Sequence, residues 1–268
     1  MKNVKLFVNN SRVDFDSFTF SGGEEHIKIK PSGPAADIQI LAYIKTSSDL
    51  MSLLLLKDAV DREYGKYTRT KLVLPYVPYA RQDRVCDTGE AFGLSVSARL
   101  INSMNFDKVI ISDPHSDVTP ALIENCEVRP QEILFAQSPI FANGFHDEGT
   151  IICAPDGGAL KKAFKIASLY NKEIITAEKV RAMSTGQIIR TKVNCEDLTG
   201  KTVWMVDDIA DGSFTFIKLA EELLRMGAKE VNLWVTHGIF SKGKQVVYDS
   251  GITTVYAKYD WTKDEIFK

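Results

Sequence analysis

The stretch Thr202–Thr215, TVWMVDDIADGSFT, joins an apolar run to three aspartates and a helix start. Thr202 to Val206 are apolar or β-branched, as in a strand buried on both faces. Asp207 and Asp208 follow at the strand tip, where two carboxylates are costly unless they are used. Asp211, Gly212 and Ser213 then form a short loop before a helical pattern from Phe214 to Met226, which Gly227 closes. Carboxylates so placed accept hydrogen bonds from a ribose diol. Loop amides and the hydroxyls of Ser213 and Thr215 at a helix N-terminus suit a phosphate. The plainer alternative is that Asp211 or Ser213 merely caps the helix.

The same alternation runs outward along the chain. Short apolar runs occupy Lys5–Val8, Ile38–Tyr43, Lys71–Pro75, Lys108–Ser112, Thr150–Cys153, Glu173–Ala177, Glu230–Thr236 and Ile252–Tyr256. Amphipathic stretches lie between several of them, at about Ser48–Glu63, Ser95–Met104 and Leu160–Tyr170. This pattern predicts an α/β protein with largely parallel sheets. The segment from Gln131 to Thr150, with Pro139, Asn143 and Gly144, reads as a connection between two halves, 1–137 and 138–268. Ligands of open parallel sheets sit at the carboxyl ends of strands, so the polar residues just after these strands are the candidates.

Composition narrows the class. The 268 residues are 25% charged and 44% hydrophobic, which sets aside disordered, collagenous and coiled-coil proteins. A net charge of −2 carries no footprint for nucleic acid. Cys86, Cys126, Cys153 and Cys195 show no zinc-site spacing and read as reduced thiols. The longest apolar run, Leu50–Leu56, is too short to span a bilayer, and the N-terminus shows no signal-peptide core. The expectation is a cytoplasmic protein without a membrane or nucleic-acid partner.

Four further segments carry candidate chemistry. Pro75–Arg84, PYVPYARQDR, places Arg81, Gln82, Asp83 and Arg84 after a strand, and the arginines offer guanidinium forks to phosphate oxygens. The following segment to Gly93 reads as a flap. In Ser112–Ser116, SDPHS, Asp113 and His115 are placed to meet a metal or a donor phosphate. Ala154–Gly158, APDGG, offers Asp156 beside two glycines, although a simple Pro-Asp-Gly turn explains it equally well. Lys179 and Arg181 alternate beyond their strand, so both cations emerge on one side of an extended stretch.

Taken in this order, the segments resemble the phosphoribosyl pyrophosphate synthetases, also called ribose-phosphate pyrophosphokinases. The residues that carry the likeness are FSGGE at Phe20–Glu24, PYARQDR at Pro78–Arg84, Asp113 with His115, PDGG at Pro155–Gly158, Lys179 with Arg181, VDDIAD at Val206–Asp211 and THGIF at Thr236–Phe240. The resemblance implies two type I phosphoribosyltransferase-like domains, each a mainly parallel sheet flanked by helices. The N-terminal one is of the ATP-binding type, and the C-terminal one binds the ribose phosphate. It also implies a homo-oligomer, dimer or hexamer, and Mg2+ as cofactor with ATP as diphosphoryl donor.

Carried over by motif, Phe20 and Glu24 contact adenine from a neighbouring subunit, while Arg81, Gln82, Asp83 and Arg84 form the ATP segment. His115 and Asp156 meet magnesium or phosphates. Lys179 and Arg181, with His115, are the catalytic group, and Asp207, Asp208, Asp211, Gly212, Ser213, Phe214 and Thr215 hold the acceptor. The implied reaction moves the β,γ-diphosphoryl group of ATP to an anomeric hydroxyl and releases AMP, chemistry that needs positioning and positive charge more than a nucleophile.

Three departures stand out. Gly22 replaces the usual Asp or Asn after the adenine-stacking Phe, and the flap reads TGEAFG. The usual D-T-G-G-T loop becomes Asp211, Gly212, Ser213, Phe214, Thr215. Phe214 either packs under its helix or reshapes the pocket mouth for a substituted 5-phosphate. Compact phage-type relatives are associated with making ADP-ribose pyrophosphate in NAD salvage, so the expected acceptor is ADP-ribose, with ribose 5-phosphate as alternative. A non-catalytic synthetase-associated regulator and a phosphoribosyltransferase are the other classes. The cations at 179 and 181 count against the first, and PYARQDR against the second.

Overall fold

The computed structural model describes residues 4–30, 33–140, 145–181 and 188–263, with 179–181 and 188–191 described by backbone alone. They form two compact units, which divide at Pro130/Gln131.

The first unit contains β1 (Val4–Val8), β2 (Ser11–Val13), β3 (Phe15–Thr19), β4 (Glu25–Ile29), β5 (Asp37–Ala42), α1 (Ser47–Tyr64), β6 (Arg69–Val73), α2 (Gly93–Asn102), β7 (Lys108–Ser112), α3 (Val118–Leu122) and β8 (Cys126–Arg129). Its sheet runs β2-β1-β5-β6-β7-β8, parallel from β5 to β8, and β3 and β4 form a separate antiparallel hairpin. Buried Leu50, Leu53, Leu56 and Val60 of α1 recur at helical spacing. Leu6, Ile38, Ile40, Leu72 and Ile111 from the sheet join them in one core.

The second unit contains α4 (Gln131–Ala136), β9 (Thr150–Ala154), α5 (Gly157–Leu169), β10 (Glu173–Arg181), β11 (Ile188–Val193), β12 (Thr202–Ala210), α6 (Phe214–Arg225), β13 (Glu230–Gly238), α7 (Gln245–Tyr248) and β14 (Ile252–Asp260). Its sheet order is β11-β10-β9-β12-β13-β14, with only β10 and β11 antiparallel. Side chains of β12 alternate between two cores, as the strand period demands. Val203 and Met205 meet Leu219 and Leu223 of α6, whereas Trp204 and Val206 share a core with Phe135, Ala163 and Ile166.

The units differ from the sequence expectation in several ways. The division falls before 137/138, because Leu134 and Phe135 of α4 are buried in the core of the second unit. Strands β10, β12, β13 and β14 run beyond their expected ends at Ala177, Val206, Thr236 and Tyr256. Neighbouring strands complete their ladders there, so Asp207 pairs with Val235, and Ala210 with Gly238. The Phe15–Thr19 and Glu25–Ile29 hairpin was not expected. Gly227, by contrast, closes α6 as read, with φ +92 and its N–H donated to Leu224 O at 3.0 Å. Among the described residues no helix is long and apolar enough to cross a membrane.

Candidate active site

In the second unit the sheet order reverses at β9, since α5 leads outward to β10 while β12 lies on the other side. Such a switch point opens a crevice at the carboxyl ends. Asp156 follows β9 there, and Asp207 and Asp208 lie in the last part of β12. Asp208 is buried, and its N–H donates to Asp207 Oδ1 at 2.8 Å. Burial, and then the neighbouring charge of Asp208, push the Asp207 carboxyl well above the usual range, with Asp156 adding to the effect. Lys162 of α5, which sequence reasoning passed over, brings Nζ to 4.0 Å from Asp208 Oδ2. Its only signal was a pair of lysines after APDGG, and lysines on helices are ordinarily solvated.

Asp156 is the N-cap of α5, accepting on Oδ1 from Gly158 N at 3.0 Å and Ala159 N at 3.2 Å. The loop before α6 is built otherwise. Ser213 stands at the N-cap in left-handed backbone, φ +59, and its hydroxyl donates to Asp211 O at 3.2 Å without capping the helix. The plain capping reading of Ser213 is therefore corrected: a left-handed residue aims its side chain away from the first-turn amides. Phe214 is 51% exposed, so the inward-packing alternative also fails. Thr215 is partly buried behind it.

In the first unit the segment after β6 meets the loop after β7. Ser112 N donates to Pro75 O at 3.0 Å. The buried Asp83 carboxylate receives Arg84 Nε at 2.8 Å and a second guanidinium nitrogen at 3.2 Å. The Arg84 fork first, then the Ser116 hydroxyl, and more weakly the charges of Arg84 and His115, lower Asp83 to about 2. Asp83 thus faces the protein, whereas Arg81, Gln82, Arg84 and His115 are exposed. Asp113 is buried, with its N–H on Arg129 O at 2.8 Å. Leu94 N donates to Gln82 O at 3.1 Å, and a Cβ at Gly93 would collide with the Gln82 side chain, which ties the end of the flap segment to Gln82.

Phe20 and Glu24 sit at the tip of the β3–β4 hairpin, closed by Phe20 N donating to Glu24 O at 2.8 Å. Phe20 is half exposed and lies edge-on to Phe18, with centroids 4.8 Å apart. The backbones of Lys179 and Arg181 pair with Thr191 and Ile188 across β10 and β11, but their side chains lie outside the described residues. No three His, Cys, Asp or Glu side chains gather as a metal cage among the described residues.

Backbone strain marks these same segments. Described non-glycine residues with positive φ include five asparagines, which tolerate that region, together with Tyr79, Asp113, Ser213 and Phe240. Each of these four lies in one of the segments singled out from sequence. Such conformations persist where the surrounding structure over-determines them, as at ligand sites.

Residues 2–104 match the N-terminal domain of ribose phosphate pyrophosphokinase. The ribose-phosphate pyrophosphokinase of Pyrococcus furiosus is 37% identical over 227 residues, covering 84% of this chain and 77% of that protein. That of Pyrococcus abyssi is 34% identical over 231 residues, covering 84% and 76%. The crystal structure of phosphoribosylpyrophosphate synthetase from Mycobacterium smegmatis superposes with a TM-score of 0.80 at 24% identity, covering 93% of this chain and 81% of that one. That likeness establishes the fold. The acidic crevice, the guanidinium-bearing segment and the two homologous proteins agree: this chain belongs to the ribose-phosphate pyrophosphokinase family and is a diphosphotransferase.

Proposed function

We propose that the protein transfers the β,γ-diphosphoryl group of Mg-ATP to the anomeric hydroxyl of ADP-ribose, a step of NAD salvage. The anomeric oxygen bonds to Pβ as the bond from Pβ to the α,β-bridging oxygen breaks. AMP leaves with that oxygen, and the hydroxyl proton is released. In this reading Arg81, Gln82 and Arg84 hold ATP, and Asp83 fixes the Arg84 fork. Phe20 and Glu24 reach adenine in a homo-oligomer. Asp207 and Asp208 accept from the ribose diol, and the 211–215 loop holds the 5′-phosphate. Lys179 and Arg181 neutralise the transferring group.

His115 and Asp156 are the residues that the family motifs would assign to magnesium or phosphates, and magnesium bound with ATP would supply charge neutralisation. The crevice of the second unit fits a positive charge, since Asp207 is disfavoured as an anion first by burial and then by the neighbouring carboxylates Asp208 and Asp156.

The acceptor preference rests on Phe214. An aromatic ring 51% exposed at the first turn of α6 is a surface for a further nucleoside beyond the 5′-phosphate. A terminal phosphate dianion presents three free oxygens to its loop, whereas the inner phosphate of a diphosphate ester presents two. Ser213, replacing a glycine of the usual loop, is held to the backbone of Asp211 and suits the smaller demand. The names of the relatives favour the second reading, ribose 5-phosphate. Mass spectrometry of products from Mg-ATP with an equimolar mixture of both acceptors decides. Diphosphorylated ADP-ribose with AMP is expected, and phosphoribosyl pyrophosphate alone would overturn the preference.

A further inference from the structure

We propose that Ser47 and Tyr79 are positioning residues for ATP, because the first turn of α1 sets the corner from which Arg81 and Gln82 project. The proposal rests on the reading of 78–84 as the nucleotide segment.

The capping box of α1 is complete without the Ser47 and Ser48 hydroxyls. Thr46 is the N-cap, Asp49 N donates to its hydroxyl at 3.2 Å, and Asp49 Oδ2 accepts from Thr46 N at 2.8 Å and Lys45 N at 3.0 Å. Two serines, modest helix formers, then occupy the first two helical positions with hydroxyls that the cap does not use. Both hydroxyls reach outside the helix. Ser48 Oγ donates to Glu25 Oε1 at 2.8 Å, and the same carboxylate oxygen accepts from Thr19 Oγ1 at 3.2 Å. Thr19 and Glu25 face one another across the base of the hairpin tip that carries Phe20.

Ser47 Oγ lies 2.9 Å from Tyr79 Oη, across 32 residues of sequence. Tyr79 has φ +63, a conformation that costs a bulky residue energy unless something fixes it. It forms the corner of the segment, with Ala80 N donating to Val77 O at 3.2 Å and Gln82 N to Tyr79 O at 2.9 Å. Arg81 and Gln82 leave directly from that corner. Ser47 and Tyr79 are both exposed, so the bond between them contributes little to the core. What it fixes is direction.

The test uses the full chain and a non-transferable ATP analogue, with a methylene group in place of the α,β-bridging oxygen, titrated calorimetrically with magnesium. Tyr79→Phe and Ser47→Ala each remove one side of the bond and are expected to weaken the analogue about five-fold. The double variant is expected to weaken it by the same factor, because one shared bond is lost once. KM for ATP should rise in step, with kcat at saturating ATP and the melting temperature unchanged. Single variants that bind as the parent does while Arg81→Ala binds weakly would overturn the proposal. So would a double variant weakened about 25-fold, the product of independent effects. Arg81→Ala binding as tightly as the parent would overturn the nucleotide reading of the segment, and this proposal with it.

Discussion

Asp83 in the first unit follows the buried strand β6 and Asp207 in the second lies near the end of β12, yet their surroundings drive them in opposite directions. Arg84 and Ser116 lower Asp83 to about 2, whereas burial and Asp208 raise Asp207 well above the usual range. Opposed shifts separate roles. Asp83 is a satisfied anion that organises its own segment, holding the Arg84 guanidinium with both carboxylate oxygens. Asp207 receives the Asp208 N–H but, among the described residues, no cation, and a carboxylate kept in that condition suits a ligand that brings hydroxyl donors or a cation.

The largest expected break of this contrast is Asp207→Asn. Losing a charge-assisted bond to a ribose hydroxyl should raise KM for the acceptor about 10- to 100-fold. Stability moves the other way. A carboxyl whose folded value is raised is most stabilising when protonated. Its cost grows as pH rises from the unfolded value, near 3.8, through the folded one. The asparagine variant should therefore melt higher than the parent at pH 7, with the difference vanishing in acid. Equal melting at both pH values would show that Asp207 is compensated after all.

Asp83→Asn should do the reverse. Its folded value lies near 2 against 3.8 unfolded, so its contribution is full above 3.8 and is lost as pH falls through about 2. The variant is expected to lose about 2 kcal/mol at pH 7 by chemical denaturation, and to approach the parent only as pH falls below about 2. A loss that persists in strong acid would mean that shape at position 83, and not charge, is what the fold uses there.

Much of this was legible in the sequence because parallel strands buried on both faces read as apolar runs, and Lys108–Ser112 matches its strand end to end. Extensions such as Asp207–Ala210 were not, since backbone pairing with β13 carries the strand onward through polar residues. The β3–β4 hairpin was hidden because Phe15–Thr19 and Glu25–Ile29 mix charged and aromatic residues on a half-exposed surface, although its tip had been singled out. The motifs named the segments of the site. They did not reveal that Asp83 turns inward, that Lys162 approaches Asp208, or that Ser213 declines its cap. These depend on side-chain direction and on a left-handed residue, which a one-dimensional spacing does not carry.

The smallest expected effect sharpens the first unit's half of the contrast. If the segment around Asp83 presents Gln82 as well as Arg84, then the place of Gln82 depends on Gly93, where an added Cβ meets its side chain. Gln82 is exposed and flexible, so Gly93→Ala should displace that side chain without disturbing the core. Leu94 N still donates to Gln82 O, which keeps the backbone in place. The expected result is a rise of about three-fold in KM for ATP, with the acceptor KM and the melting temperature unchanged, as for loss of one weak neutral hydrogen bond. A fall in melting temperature instead would mean that the flap joint is part of the core. An unchanged KM would leave Arg81 and Arg84 to hold the nucleotide without Gln82.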